Sequence, residues 1–130
     1  MSVLYADASA LVKLLVREPE SAAVAAVLAD GRRVVASALV AVELACVARR
    51  RGLGDADSVL QRLDLLTLDA ATLHDARTFA TTPPLRALDA VHLAAARRVA
   101  VAVGPLELLC YDADLCAAAR AAGLAVIAPA

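Results

Sequence analysis

Five short apolar runs with little polar alternation restrict the fold more than any other feature of the chain. They are Ser2–Ala6, Val34–Ala36, Leu65–Leu68, Glu107–Tyr111 and Leu124–Ile127. A strand with one face in water alternates apolar and polar residues, whereas a strand covered on both faces does not. Between the runs, apolar residues recur at helical spacing, as in Leu11, Leu14 and Leu15, or Leu88, Val91, His92 and Ala95. Helices are expected over Ala8–Val16, from Glu20 to Ala29, from Ser37 to Arg51, over Ala56–Leu63 and Asp69–Ala80, then over Leu88–Val103 and Asp114–Ala122. Helices alternating with doubly buried strands predict an α/β fold, a three-layer α/β/α sandwich around a parallel sheet of about five strands.

The 130 residues contain no repeat and no linker, so residues 1–130 read as one domain. The 62% hydrophobic content and mean hydropathy of +0.71 raise the question of a membrane. The longest stretch free of Asp, Glu, Lys and Arg is Ala121–Ala130, half of what a spanning helix needs at ~20 residues. No basic segment precedes Asp7, so no secretory signal is expected, and a cytoplasmic protein is the simplest reading. Net charge is −1, so no whole-molecule field favours nucleic acid. A phosphate-bearing partner must be met locally; Arg49–Arg51, Arg32–Arg33 and Arg97–Arg98 are the candidates, each also explicable as a solvated helix end. The three cysteines, Cys46, Cys110 and Cys116, lack zinc spacing and read as small buried hydrophobes. No phosphate-cradling or dinucleotide glycine pattern occurs, so no organic cofactor is expected.

Four acids do not fit a solvated face. Asp7 and Asp112 directly follow the first and fourth apolar runs, at the carboxyl edge where open parallel sheets bind ligands. Glu43 is flanked by Val42 and Leu44, and Asp89 by Leu88 and Ala90. Each has an ordinary explanation: Asp7 and Asp89 as helix caps, Asp112 as the start of a helix, Glu43 as a half-exposed helical residue. Their convergence favours chemistry. Two like charges ~4 Å apart repel by roughly 4 kcal/mol at an effective dielectric near 20, so a carboxylate cluster needs protons or a cation. Oxygen ligands alone suit Mg²⁺, with Mn²⁺ as the alternative. His92 reads as a hydrogen-bonded packing histidine rather than a ligand or base. Lys13 faces either the crevice or solvent.

The blocks around these acids resemble PIN-domain ribonucleases, in particular VapC toxins of bacterial toxin–antitoxin pairs. They are Tyr5–Leu14 (YADASALVKL), Glu18–Ser21 (EPES), Ala36–Glu43 (ASALVAVE), Leu85–Ala96 (LRALDAVHLAAA) and Leu109–Leu115 (LCYDADL). They run through the whole chain in the family's order. The resemblance implies that Asp7, Glu43, Asp89 and Asp112 are the catalytic and metal-binding acids, with Ser9 supporting the first. It implies a Mg²⁺-dependent endoribonuclease, an RNA substrate, a VapB-type antitoxin and a homodimer. One position departs from the family: Cys110 stands where a hydroxyl residue is common, two places before Asp112. Asp114 is therefore the alternative last acid. A catalytically weak PIN-fold module that binds protein is the competing function. A receiver-like signalling domain would need a lysine after a late strand, and no lysine follows Lys13.

Overall fold

The computed structural model describes residues 2–130. In chain order the elements are β1 (Val3–Ala6), α1 (Ala8–Leu15), α2 (Ser21–Leu28), β2 (Val34–Ser37), α3 (Leu39–Arg50) and α4 (Asp57–Leu60). There follow β3 (Asp64–Leu66), α5 (Ala70–Ala80), α6 (Ala87–Val103), β4 (Leu106–Leu109), α7 (Ala113–Ala121) and β5 (Ala125–Ile127). The five strands form one parallel sheet in the order β3-β2-β1-β4-β5, as the unalternated runs lead one to expect.

Central β1 explains why these runs carry no polar face. Its Leu4 and Ala6 enter one core, with Leu11, Val24, Val40 and Leu44 from α1, α2 and α3. Its Tyr5 enters the other, with Leu93 and Ala96 from α6 and Leu115 and Ala119 from α7. Helices therefore cover both faces, which gives three layers. All these residues are buried, and truncating Leu11 or Leu93 to Ala is expected to cost ~2–5 kcal/mol.

Element boundaries shift where local chemistry competes with the pattern. The expected helix Ala56–Leu63 shortens to α4, and β3 starts early at Asp64, whose carboxylate takes the Arg33 guanidinium at 2.7 Å. Ser37 stays in β2 and its Oγ accepts the Leu39 N–H at 3.2 Å. Helix α6 stops at Gly104, whose φ of +93° favours glycine.

The strand order fixes where a site can form. The chain moves outward from β1 through β2 to β3, then crosses back to β4 on the other side of β1. Between β1 and β4 the helices that leave the sheet depart to opposite faces, which opens a crevice at the carboxyl edge. Asp7 lies at that point, its backbone N–H bonded to the Leu109 carbonyl at 3.0 Å.

Candidate active site

Asp7 leaves β1 and caps α1. Its Oδ2 accepts the Ser9 N–H at 3.1 Å and the Ser9 hydroxyl at 2.7 Å, and the residue is only 5% exposed. The same Ser9 Oγ accepts the Tyr111 N–H at 2.9 Å. Ser9 thus ties the end of β1 to the segment just beyond β4 and fixes Asp7 against the chain that carries Asp112. Cys110 Sγ lies 3.7 Å from the same Asp7 oxygen and 3.7 Å from Ser9 Oγ. Burial, reinforced by the Asp7 charge, pushes the Cys110 thiol well above its ordinary range. It stays protonated and offers no soft thiolate.

Asp112 caps α7, its Oδ1 accepting the Leu115 N–H at 3.0 Å. Asp89 is the third residue of α6 and accepts the Arg86 N–H at 3.4 Å. Asp7 is thus the helix cap expected of it and Asp112 starts α7, whereas Asp89 is not the cap itself but the N3 acid that takes the N–H of the cap residue Arg86. These roles do not exhaust the three acids. The Asp89 carboxyl is held above the usual carboxylate range, first by burial and then by the nearby Asp112 and Asp7 carboxylates. Asp114 is exposed in the first turn of α7 and is not among the charges acting on Asp89.

Glu43 projects from α3 to a buried histidine. His92 Nε2 lies 2.5 Å from Glu43 Oε1 and 3.8 Å from Asp7 Oδ1. Its Nδ1 is 2.8 Å from the Tyr5 hydroxyl, which accepts the Ser37 N–H at 3.1 Å. His92 is 1% exposed. Burial pulls the imidazole pKa down, but Glu43 and Asp7 outweigh it and the net shift is upward. Sequence reasoning recovered the packing and the hydrogen bonding of His92 but not its partners; the one signal was its place three residues after Asp89, one helical turn along α6.

The four acids thus come to one edge of the sheet without closing onto a point. Among the described residues, no three His, Cys, Asp or Glu side chains are drawn together tightly enough to hold an ion as they stand. The donors on offer are hard carboxylate oxygens, with Asp89 raised by burial and then by its acidic neighbours, and that chemistry fits a hard divalent cation. Beside them, α1 and α3 border a cavity of about 380 Å³ lined by Ser9, Val42, Glu43, Cys46, Arg50 and Leu88, among others. A larger one of about 590 Å³ between α5 and α6 contains none of the four acids.

Two expectations need correction. Lys13 faces neither the crevice nor solvent. It is buried, bridges Glu18 and Glu20 at 3.0 Å each, and sits 4.6 Å from the Tyr111 ring centre. Arg32 and Arg33 precede β2, at the amino edge of the sheet, and pair with Asp30, Glu107 and Asp64. Arg98 pairs with Asp75 at 2.8 Å, and Arg97 lies over the Phe79 ring. The arginines beside the acids are Arg50, on the cavity wall, and Arg86, at the start of α6.

Comparison with known proteins identifies the family of the chain. The PIN domain family model matches residues 4–121. The chain is 44% identical to Ribonuclease VapC35 of Mycobacterium tuberculosis (strain ATCC 25618 / H37Rv), covering 98% of this chain and 97% of that protein. It is 40% identical to Ribonuclease VapC46 of the same strain, over 99% of each. Among solved structures, a toxin–antitoxin complex from Klebsiella pneumoniae superposes with a TM-score of 0.74 at 18% identity, covering 99% of this chain and 98% of that one. VapBC2 from Rickettsia felis bound to a DNA fragment from their promoter gives 0.65 at 16%, covering 96% and 97%. With a family model spanning nearly the whole chain and near-full-length relatives at this identity, the chain belongs to the VapC family of PIN-domain ribonucleases.

Proposed function

We propose that this protein is a divalent-metal-dependent endoribonuclease, the toxin of a toxin–antitoxin pair, working in the cytoplasm as a homodimer. The single observation that supports the reading most is that Ser9 ties buried Asp7, at the end of β1, to the segment beyond β4 that leads into Asp112. Asp89 faces the same acids, raised by burial and by the Asp112 and Asp7 carboxylates. An arrangement that repels itself when empty of positive charge is costly to a fold, and binding a cation offsets that cost. The ribonuclease names of the VapC35 and VapC46 relatives support RNA as substrate.

In this reading Asp7, Asp89 and Asp112 would hold Mg²⁺ or Mn²⁺. When bound, the ion supplies charge neutralisation at the phosphodiester and a coordinated water of lowered pKa. Ser9 fixes the rotamer of Asp7 through two hydrogen bonds. Glu43 completes the acidic set or receives a hydrogen bond from the attacking water. Arg50 and Arg86 contact backbone phosphates on either side of the acids. Asp112 rather than Asp114 is the last acid, because Asp112 directly follows Tyr111, whose N–H is bonded to the Ser9 hydroxyl that also holds Asp7, whereas Asp114 is exposed in the first turn of α7.

The partner is a VapB-type antitoxin, in keeping with the toxin–antitoxin complexes among the fold's neighbours. Exposed Val42 and Leu88, 62% and 47% accessible, border the cavity next to Glu43 and give it an apolar surface to cover. Among the described residues no helix is long and apolar enough to cross a membrane.

The test is RNA hydrolysis by the purified chain with Mg²⁺, with chelator, and with Asp7→Asn or Asp89→Asn. Cleavage is expected only with metal, and each variant should lose more than about 100-fold, the upper end seen for mere outer-shell groups. Metal-independent cleavage, or full activity in folded Asp7→Asn, rejects the reading. Absence of any cleavage while the antitoxin still binds favours a non-catalytic binding module instead.

A further inference from the structure

We infer that Tyr5 and His92 form a buried brace that sets the position of the Glu43 carboxylate, with His92 acting as a positioning residue and not as a proton acceptor. The inference rests on the functional reading above, because it concerns what one of the proposed acids is held by. Its basis is geometric. Glu43 stands on α3, which packs on one face of the sheet, while His92 stands on α6, which packs on the other. Over the end of β1 the two helices are joined by a 2.5 Å contact between His92 Nε2 and Glu43 Oε1.

Hydrogen-bond chemistry fixes which atom carries the proton. An ionised carboxylate only accepts, so the proton in the Nε2–Glu43 contact belongs to Nε2. On the other side, the Tyr5 hydroxyl accepts the Ser37 N–H and retains its own proton and one lone pair. It can donate to a neutral Nδ1 or accept from a protonated one. The 2.8 Å contact therefore survives in either charge state of the ring, and Nε2–H faces Glu43 in both. A nitrogen that already donates to a carboxylate has no free lone pair with which to deprotonate water.

Every member of the brace is pinned. Tyr5 is fully buried in the central strand and its oxygen is tied to the backbone of β2. His92 has 1% exposure, and its ring meets the Tyr5 ring edge to face at 6.0 Å. Glu43, with a side chain 20% exposed, is the one member reaching the crevice. A long acidic side chain is thereby tethered to the buried central strand of the sheet, which matters because a site group displaced by ~1 Å loses roughly 100-fold in rate.

The test uses the full chain in two parts. Metal-free wild-type protein is examined by long-range ¹H–¹⁵N correlation of the histidine ring nitrogens, with His74→Gln to assign the two rings. A proton on Nε2 of His92, with the signal moving in Glu43→Gln, is expected; a bare Nε2 with the proton on Nδ1 overturns the inference. In the second part, His92→Leu, His92→Gln and Tyr5→Phe are compared for RNA cleavage and for calorimetric Mn²⁺ binding. His92→Leu should lose ~10–100-fold in kcat or Mn²⁺ affinity with KM unchanged, the range for groups that orient a ligand. His92→Gln, whose amide N–H reaches the Nε2 position, should recover most of the loss, and Tyr5→Phe should fall between. Equal behaviour of the Leu and Gln variants, or a Leu variant within twofold of wild type, overturns the inference. Asp7→Asn separates the two claims: if it is inactive while His92→Leu matches wild type, the brace fails alone. If folded Asp7→Asn is fully active, the reading of the acids fails and the brace falls with it.

Discussion

Cys110 places its sulfur 3.7 Å from Asp7 Oδ2, the oxygen that also receives both hydrogen bonds from Ser9. A thiol is a weak donor, and at this distance it adds little to the two bonds already made. Cys110→Ser puts a strong donor in a pocket whose acceptors, Asp7 Oδ2 and the Asp112 carbonyl, are already in place. A net hydrogen bond of about 0.5–1.5 kcal/mol corresponds to an equilibrium bias toward the working orientation of at most roughly two- to tenfold, since Ser9 already holds Asp7. Calorimetric Mn²⁺ affinity of Cys110→Ser should rise by a factor in that range, and a fall would count against the orientation assigned to Asp7.

Ser9 links three parts of the site, so its removal should be felt in both stability and activity. Ser9→Ala leaves the buried Asp7 carboxylate without its shortest donor and the Tyr111 N–H without its acceptor. Leaving buried polar groups unpaired costs ~1–3 kcal/mol. Urea denaturation should show a loss of that size, accompanied by reduced RNA cleavage. A variant as stable and active as wild type would show that the link between the ends of β1 and β4 is dispensable.

Asp89 is expected to show the opposite stability effect. Its carboxyl is raised in the folded protein, so folding favours the protonated form. The stability associated with Asp89 is therefore fully present below the ordinary carboxylate pKa of the unfolded chain and is lost as pH rises from there through the raised folded-state value. At neutral pH and in chelator, Asp89→Asn removes the like charge and should raise Tm on the order of 2–4 °C, with the gain vanishing at low pH. Differential scanning calorimetry at pH 4 and pH 7 measures it. A lower Tm at neutral pH would mean the three acids do not repel one another.

Lys13 is a structural cation. It fastens the α1–α2 corner through Glu18 and Glu20 and lies over Tyr111, whose hydroxyl donates to the Pro129 carbonyl. Removing the ammonium leaves two partly exposed acids unpaired. Lys13→Met, which keeps the buried stem, should lower the urea midpoint only modestly, because Glu18 and Glu20 are partly exposed and water replaces the ammonium, while leaving the Mg²⁺ concentration for half-maximal cleavage unchanged. A large shift in that concentration would return Lys13 to the site.

The fold was legible because the cores on the two faces of β1 demand apolar residues at every strand position, and Gly104, Pro105 and the capping acids mark where helices turn. The acids were legible for a related reason: Asp7 and Asp112 follow strands directly, and a parallel sheet sends all strand ends to one edge. What stayed hidden depends on pairs far apart in sequence. His92 lies 87 residues from Tyr5 and 49 from Glu43, and no local pattern records such a meeting. Lys13 and Arg32 were misread because a charge looks solvated until its partners are known. Glu18 and Glu20 lie across a break between two helices, and Glu107 sits in a strand that is central only once the sheet order is established. The helix expected over Ala56–Leu63 is present but shorter, as α4, because its apolar residues suit a longer helix equally well.

The most direct measurement is anomalous diffraction from crystals of the full chain soaked in Mn²⁺. The account predicts a manganese peak at the carboxyl edge of β1 and β4, bounded by the carboxylates of Asp7, Asp89 and Asp112 and absent in crystals of Asp7→Asn. A cleavage-competent protein whose crystals show no peak there at saturating Mn²⁺, or show it only at a distant surface, would contradict it.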